Sequence, residues 1–293
     1  MKILPAIFML IIIVSIHPVS AEPWTKSVDA NITMTQYSYT DNWAGGEAGA
    51  MAWTFFSNSL AEKQINDMIN NKNTLKLLFG QTHNQDKDTK KWGKPDKSND
   101  LIDFESVFRF NLKTYVDPFA ALRIESQFFD TSNSDNKRLF NPLTFTESFG
   151  ISRVIIKEEK REWSARFGAG FREFINRDFL DMQTNKKETK TSNDGGLIFV
   201  NDFKTPLAED RILLTSKLTV FQALFYSESD KIKGTPEENY WKTADIEWEN
   251  IFTASITKYL MVNLYTQLLY DKEIARGGRF KQMLSLGLTY KLL

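Results

Sequence analysis

The sequence predicts an all-β chain: a 12-stranded antiparallel transmembrane up-and-down β-barrel, preceded by a cleaved signal peptide. Three observations lead there. Apolar and polar residues alternate with period two in segments of roughly ten to fifteen residues, the length of tilted membrane-crossing strands. The connections between these segments alternate short and long, as inner turns and outer loops do. Aromatic side chains collect at the segment ends, where two membrane interfaces select amphipathic rings.

Residues 1–21 read as the leader: Lys2 gives the positive start, Ile3 to Ile16 the greasy stretch, Pro18 the break and Val19-Ser20-Ala21 the small-residue cleavage site. Residues 22–293 then form the barrel domain. The 37 basic and 37 acidic side chains balance, and loss of Lys2 leaves one acid in excess. A neutral chain of this kind is not expected to bind nucleic acid. Cysteine is absent, which excludes disulfides and thiolate metal sites, and His83 is the one histidine left after the leader. No cofactor is expected.

The strands are expected near 27–39, 47–59, 74–84, 101–113, 118–130, 143–157, 162–175, 196–204, 211–226, 241–256, 260–271 and 280–293. From the fourth strand onward the links alternate: "TYVD" short, "TSNSDNKRLFNP" long, "EEKR" short, "NRDFLDMQTNKKETKTSNDGG" long, "TPLAED" short, "SESDKIKGTPEEN" long, "TKY" short, "KEIARGGR" longer. Two links depart from the rhythm: "DNWAGG" reads as a tight outer hairpin and "AEKQINDMINNKN" as a long inner turn. Trp24, Tyr115, Phe119, Trp163, Tyr259 and Tyr290 mark the inner rim. Tyr37, Tyr39, Trp43, Phe128, Tyr226, Tyr240 and Tyr270 mark the outer one. The competing reading is a soluble sandwich with a large aromatic core, which leaves the loop alternation unexplained.

The last strand is the cleanest, with Leu284, Leu286, Leu288, Tyr290 and Leu292 on one side. Ser285-x-Gly287-x-x-Tyr290-x-Leu292 resembles the C-terminal insertion signal of outer-membrane proteins, although Leu293 stands where most of them end in an aromatic. The likeness implies the barrel-assembly machinery as a partner and outer-membrane lipid as the surroundings. The wider chain resembles an uncharacterised group of Gram-negative outer-membrane barrels, a domain-of-unknown-function family. It does so through "NWAGGEAG", "DPFAALRIESQFFD" and "FNPLTFTESFGI". That resemblance implies a fold and a cell outer membrane location and brings no activity.

With the greasier face of each strand on lipid, the lumen receives Asp103, Glu105, Arg109, Arg123, Glu125, Arg166, Arg172, Lys217, Asp245, Glu247, Glu249 and Lys281. The sixth strand is ambiguous. A four-residue turn "EEKR" pairs Lys157 with Glu162, which sets Glu147 against Arg172 and Arg153 against Arg166. It also sets Phe149 against Gly170, Ile151 against Gly168 and Ser148 against Phe171. Large residues then face small ones, and Glu147 and Arg153 are expected inside. Seven acids and seven bases suit bracing by ion pairs, or a selective passage. The acids Asp245, Glu247 and Glu249 have no basic neighbour on the eleventh strand, so their cations must come from Lys217, from across the lumen or from solution.

Other motifs carry little. His83 in "GQTHNQ" invites comparison with lipases that work at a barrel rim but has no adjacent serine. Asp130, Asn133 and Asp135 lack the spaced glutamate of a calcium loop and read as turn formers. "KDTKKWGKPDK" mixes both signs, as a solvated loop does. No catalytic or metal site is expected. The leading functional expectation is a narrow, porin-like, charge-lined channel for small polar solutes. The alternative is a closed structural or surface-interaction barrel acting through its outer loops, and a lipase-like rim enzyme is the third.

Overall fold

The computed structural model describes residues 23–39, 48–131, 138–181, 186–257 and 260–291. The expected leader and the "NWAGG" hairpin lie outside them. Twelve strands form the wall: β1 Thr25–Tyr37, β2 Ala50–Asn66, β3 Ile69–Asn84, β4 Asp96–Phe110, β5 Asp117–Ser126, β6 Leu143–Lys157, β7 Glu162–Asp181, β8 Lys186–Leu207, β9 Ile212–Tyr226, β10 Asp245–Ser255, β11 Leu260–Tyr270 and β12 Arg279–Lys291. Each pairs antiparallel with its sequence neighbours, and β1 meets β12 to close the ring. A two-residue ribbon, Phe129–Asp130 with Arg138–Leu139, sits in the β5–β6 connection.

The barrel is turned inside out relative to a soluble protein. Phe149 and Leu284 are 67% and 69% exposed on the outer surface, whereas Asp103 and Arg166 are each 6% exposed within. Water would penalise that exterior, and the hydrocarbon of a bilayer suits it. No helix among the described residues is long and apolar enough to cross a membrane. Strands that alternate lipid-facing and lumen-facing residues do the crossing instead.

Three local features differ from the sequence expectations. The segment 61–73 is no long inner turn, because β2 and β3 run on to a tight reversal at Asp67-Met68. The Asn66 side-chain oxygen fixes the reversal by accepting the N–H groups of Met68 and Ile69, each at 2.9 Å. Aspartate and asparagine make such turns because the short side chain reaches the backbone two or three residues on. The second difference is the supposed outer loop 176–195, which is mostly strand. β7 and β8 stay paired from Glu162↔Lys204 out to Asp181↔Lys186. At 20 and 22 residues they are about twice the ~9–11 that a crossing strand needs.

The third difference is register. Lys157 does face Glu162, and Ile156 faces Trp163, but a bulge between Val154 and Ile156 slips the hairpin by one residue. Beyond it Glu147 faces Phe171, Ser148 faces Gly170 and Gly150 faces Gly168. A one-residue slip reverses every side chain. Glu147 and Arg153 therefore point outward, with Phe149 and Ile151, and the inward face is Thr146, Ser148 and Ser152, all buried. The physical reason is segregation by face. Large apolar residues go to lipid while small ones line the lumen beside Arg166 and Arg172. At the Gly150–Gly168 crossing the two backbones are so close that a Cβ on either would come within 2.2 Å or 2.1 Å of a carbonyl oxygen on the other strand.

Rim aromatics follow the expected pattern in part. Trp24, Tyr115 and Trp163 are exposed at the inner end, but Phe119 is buried inside under Arg166.

Candidate functional site: the charged lumen

The lumenal charges meet in tiers. Nearest the inner end, Lys72 reaches Glu162 at 2.8 Å, and Lys157 reaches Glu62 at 3.3 Å and Glu162 at 3.5 Å. Arg109 lies 4.0 Å from Asp117 at the same rim. Above them Glu105 accepts from Arg166 at 2.7 Å and from Lys217 at 2.6 Å, and Arg166 also touches Asp202 at 3.4 Å.

The next tier centres on Arg123, whose guanidinium grips Asp103 through Nε at 2.9 Å and Nη2 at 3.0 Å. The same group contacts Glu125 at 3.0 Å and Glu247 at 2.9 Å. A planar fork with five donors is the side chain able to serve three carboxylates at once. Beside it Lys76 bridges to Glu249, and Tyr265 donates its hydroxyl to the other oxygen of Glu249 at 2.7 Å. Gln267 donates to Glu247 at 2.9 Å. Toward the outer end Arg172 donates to Asp194 through Nε at 2.9 Å, lies 2.8 Å from Asp245 and rests over the Phe221 ring at 3.8 Å.

The three acids of β10 thus draw their cations from strands they are not paired with: Asp245 from Arg172, three strands along the wall, and Glu247 and Glu249 from Arg123 and Lys76, across the lumen. Lys217 is Glu249's direct sheet partner yet turns away to Glu105. Of the fourteen charges expected inside, twelve line the lumen, and Glu147 and Arg153 do not. Arg153 instead donates to the Tyr115 carbonyl at 3.0 Å and stacks on that ring at 3.5 Å, on the barrel's outside.

Sequence reasoning overlooked Lys76, Lys72, Glu62, Asp194 and Asp202. Lys76 carried a readable signal. In "NTLKLLFG" it is the single charge among large apolar residues, and its alternation partners Thr74 and Leu78 share its inward face.

Beside the middle tier, lined by its Arg123, Glu125 and Glu247, lies a cavity of ≈ 420 Å³, a vestibule that runs from Glu105 and Lys217 at its deep end to Asp271 and Ile274 at its outer end. Its wall mixes the charges just described with Leu78, Leu101, Ile198, Val200 and Phe221. Arg279 and Lys281 complete it from β12.

His83 and Asp130 each have partners of their own. The His83 ring nitrogen Nε2 donates to the Gly93 carbonyl and the ring lies 5.1 Å from Trp92, so that nitrogen is not free to take a proton from a nucleophile. Asp130 is held by Arg138 and by Asn141, the latter at 2.8 Å. Asn133 and Asp135 lie outside the described residues.

Residues 34–131 match the family described as Protein of unknown function (DUF3078), which covers less than half of the chain. No curated protein matches it. Among solved structures the chain is similar to the COG4313 outer membrane channel from Pseudomonas putida F1, with 14% identity, a TM-score of 0.41 and 99% of each chain covered. It is also similar to the translocator domain of the autotransporter NalP from Neisseria meningitidis, with 8% identity, a TM-score of 0.38 and 91% and 87% of the two chains covered.

Proposed function

We propose that the protein is an outer-membrane barrel of a Gram-negative bacterium, closed at rest by its own ion pairs and acting toward the cell exterior through its vestibule and outer loops. No reaction is assigned to it. The observation that carries this reading is the pair of bridges Lys76–Glu249 and Arg123–Glu247. Both join nearly opposite walls: by the shorter way round the ring, β3 and β10 are separated by β2, β1, β12 and β11, and β5 and β10 by β6, β7, β8 and β9. A side chain stretched across the lumen and satisfied at its far end occupies the space through which a solute would pass.

An outer-membrane position is supported by the apolar exterior and by the leader-like start of the chain. The narrow channel for small polar solutes remains the second reading. What favours it is the depth of the vestibule, whose lining runs past Arg123 and Glu247 to Glu105 and Lys217, so the bridges are a thin barrier rather than a solid plug.

Planar-bilayer recording on the purified chain separates the two. The closed reading expects no steady conductance from the wild type and an ohmic, cation-preferring conductance once Lys76→Gln and Arg123→Gln are combined, because the freed acids then line the path. Steady conductance from the unaltered, correctly folded barrel would overturn the closed reading in favour of the channel.

A further inference from the structure

We propose that the vestibule is a binding site for an amphiphilic anion. Arg279 and Lys281 hold its carboxylate or phosphate headgroup, and its apolar chain leaves into the bilayer through the unpaired stretch between β1 and β12. The inference goes beyond the closed-lumen reading and does not depend on it, because Arg279 and Lys281 take part in neither bridge and would face the cavity whether or not the bridges part.

The first support is charge. The other vestibule cations are engaged: Arg123 with Asp103, Glu125 and Glu247, Arg172 with Asp194 and Asp245, and Lys217 with Glu105. Arg279 and Lys281 have no carboxylate within ion-pair distance among the described residues. Their sheet partners are the uncharged Leu269 and Gln267. The Arg279 Nε is buried without a hydrogen-bond partner, and the closest aromatic to Lys281 is the Tyr265 ring at 5.8 Å. A buried guanidinium nitrogen without an acceptor is unfavourable, and a carboxylate or phosphate supplies acceptors in the geometry of its fork. The cavity, at ≈ 420 Å³, has the size of small-molecule sites and the matching mixture of apolar wall and few polar groups.

The second support is the seam. β1 and β12 pair from Asp29↔Lys291 to Ile32↔Leu288. Farther out, Thr33–Tyr37 of β1 and 279–287 of β12 have no ladder between them among the described residues. Open sheet edges are not stable against hydrocarbon and persist only where they line a cavity or are covered. Outside this stretch lie Ile32, Met34, Leu284 and Leu286, all exposed. Inside it, Lys281 stands two residues beyond Met283 on the edge strand itself. A free inorganic anion would satisfy the cations and leave the apolar flanks of the seam empty. A neutral lipid would do the reverse, and an amphiphilic anion does both.

The test uses the full chain in phosphatidylcholine nanodiscs, titrated calorimetrically with sodium decanoate, sodium acetate and inorganic phosphate, with empty discs as the reference. Folding of every variant is verified by heat-modifiable migration. Decanoate should bind, acetate and phosphate much more weakly, and Arg279→Gln with Lys281→Gln should weaken decanoate by about tenfold or more. The charge-keeping pair Arg279→Lys and Lys281→Arg should retain binding. Continuing the observed register places Thr35 opposite Ser285, and the chain has no cysteine of its own. Oxidising Thr35→Cys with Ser285→Cys should therefore abolish decanoate binding, and reduction should restore it. Acetate or phosphate binding as tightly as decanoate would make this a site for free anions and overturn the amphiphile. Decanoate binding untouched by the glutamine pair, or by the oxidised seam, would overturn the site or the route.

Discussion

Lys217 stands opposite Glu249 in the sheet but extends to Glu105, 2.6 Å from its ammonium, on a wall five strands away. Glu249 in turn is met by Lys76 from a third wall. Cations here reach over their neighbours, so each bridge ties together strands that share no backbone hydrogen bond. A double-mutant cycle measures that tie. Lys76→Gln and Glu249→Gln should each destabilise the folded barrel by roughly 1–3 kcal/mol in urea unfolding from vesicles, since each leaves a buried charge unpaired. The double substitution should cost less than the sum, with a coupling of about 1 kcal/mol or more. Simple additivity would mean that the bridge contributes nothing.

The bulge at Ile155 gives a crosslinking prediction. Cysteines at Glu147 and Phe171 should join on mild oxidation, whereas cysteines at Glu147 and Arg172 should not. The reverse result would restore the register without the bulge and bring Glu147 into the lumen.

Membrane insertion predicts a depth-dependent penalty on one face only. Phe149→Arg places a charge on the exposed apolar surface and should destabilise by roughly 2–4 kcal/mol if near the midplane. Ser148→Thr, one residue along and facing inward, should be within about 1 kcal/mol of wild type by the same unfolding assay. Equal tolerance of both would remove the case for lipid on that face.

In the β3–β4 outer loop, Asp86 accepts the Thr89 N–H at 2.7 Å, the Thr89 hydroxyl at 2.8 Å and the Asp88 N–H at 3.1 Å. The Thr89 amide first, then its hydroxyl, hold the Asp86 carboxyl below the usual aspartate range. A lowered folded-state pKa means that the turn's stabilisation is complete above the ordinary aspartate pKa and is lost as pH falls through the lowered one. Amide exchange at Thr89, corrected for its intrinsic pH dependence, should therefore show constant protection at neutral pH and a loss confined to strong acid. Loss beginning near neutrality would assign the turn to another group.

Much of the fold could be read in the residues, because period-two alternation states directly which side of a strand meets lipid. Leu284 and Leu286 against Ser285 is such a case, and twelve lumenal charges were recovered in the same way. What failed was anything set by a single residue of slip. Phe145, Glu147, Phe149, Ile151 and Arg153 lie on one face, and choosing that face required the bulge at Ile155, which no local pattern announces. The bridging partners were equally hidden. Lys76 and Glu249 are separated by 173 positions, and only closure of the ring brings them together. Extension of β7 and β8 past the rim was missed for another reason. Residues such as "KKETKTSND" are polar on both faces, as a strand standing in water on both sides should be, and this erases the alternation used to find strands.

That projecting hairpin has a mechanical consequence. β7 and β8 are paired from the inner turn to Asp181↔Lys186, so the projection is a beam rooted in the barrel wall. With about ten residues of each strand beyond the membrane, at ~3.3 Å per residue, it is a lever arm of about 30 Å. Its fulcrum lies where Arg172 and Asp194 face each other across the same two strands. A sideways load at the tip becomes a torque on that pair, and through Arg172 on Asp245, so whatever leans on the hairpin pulls first on the charges at the mouth of the vestibule.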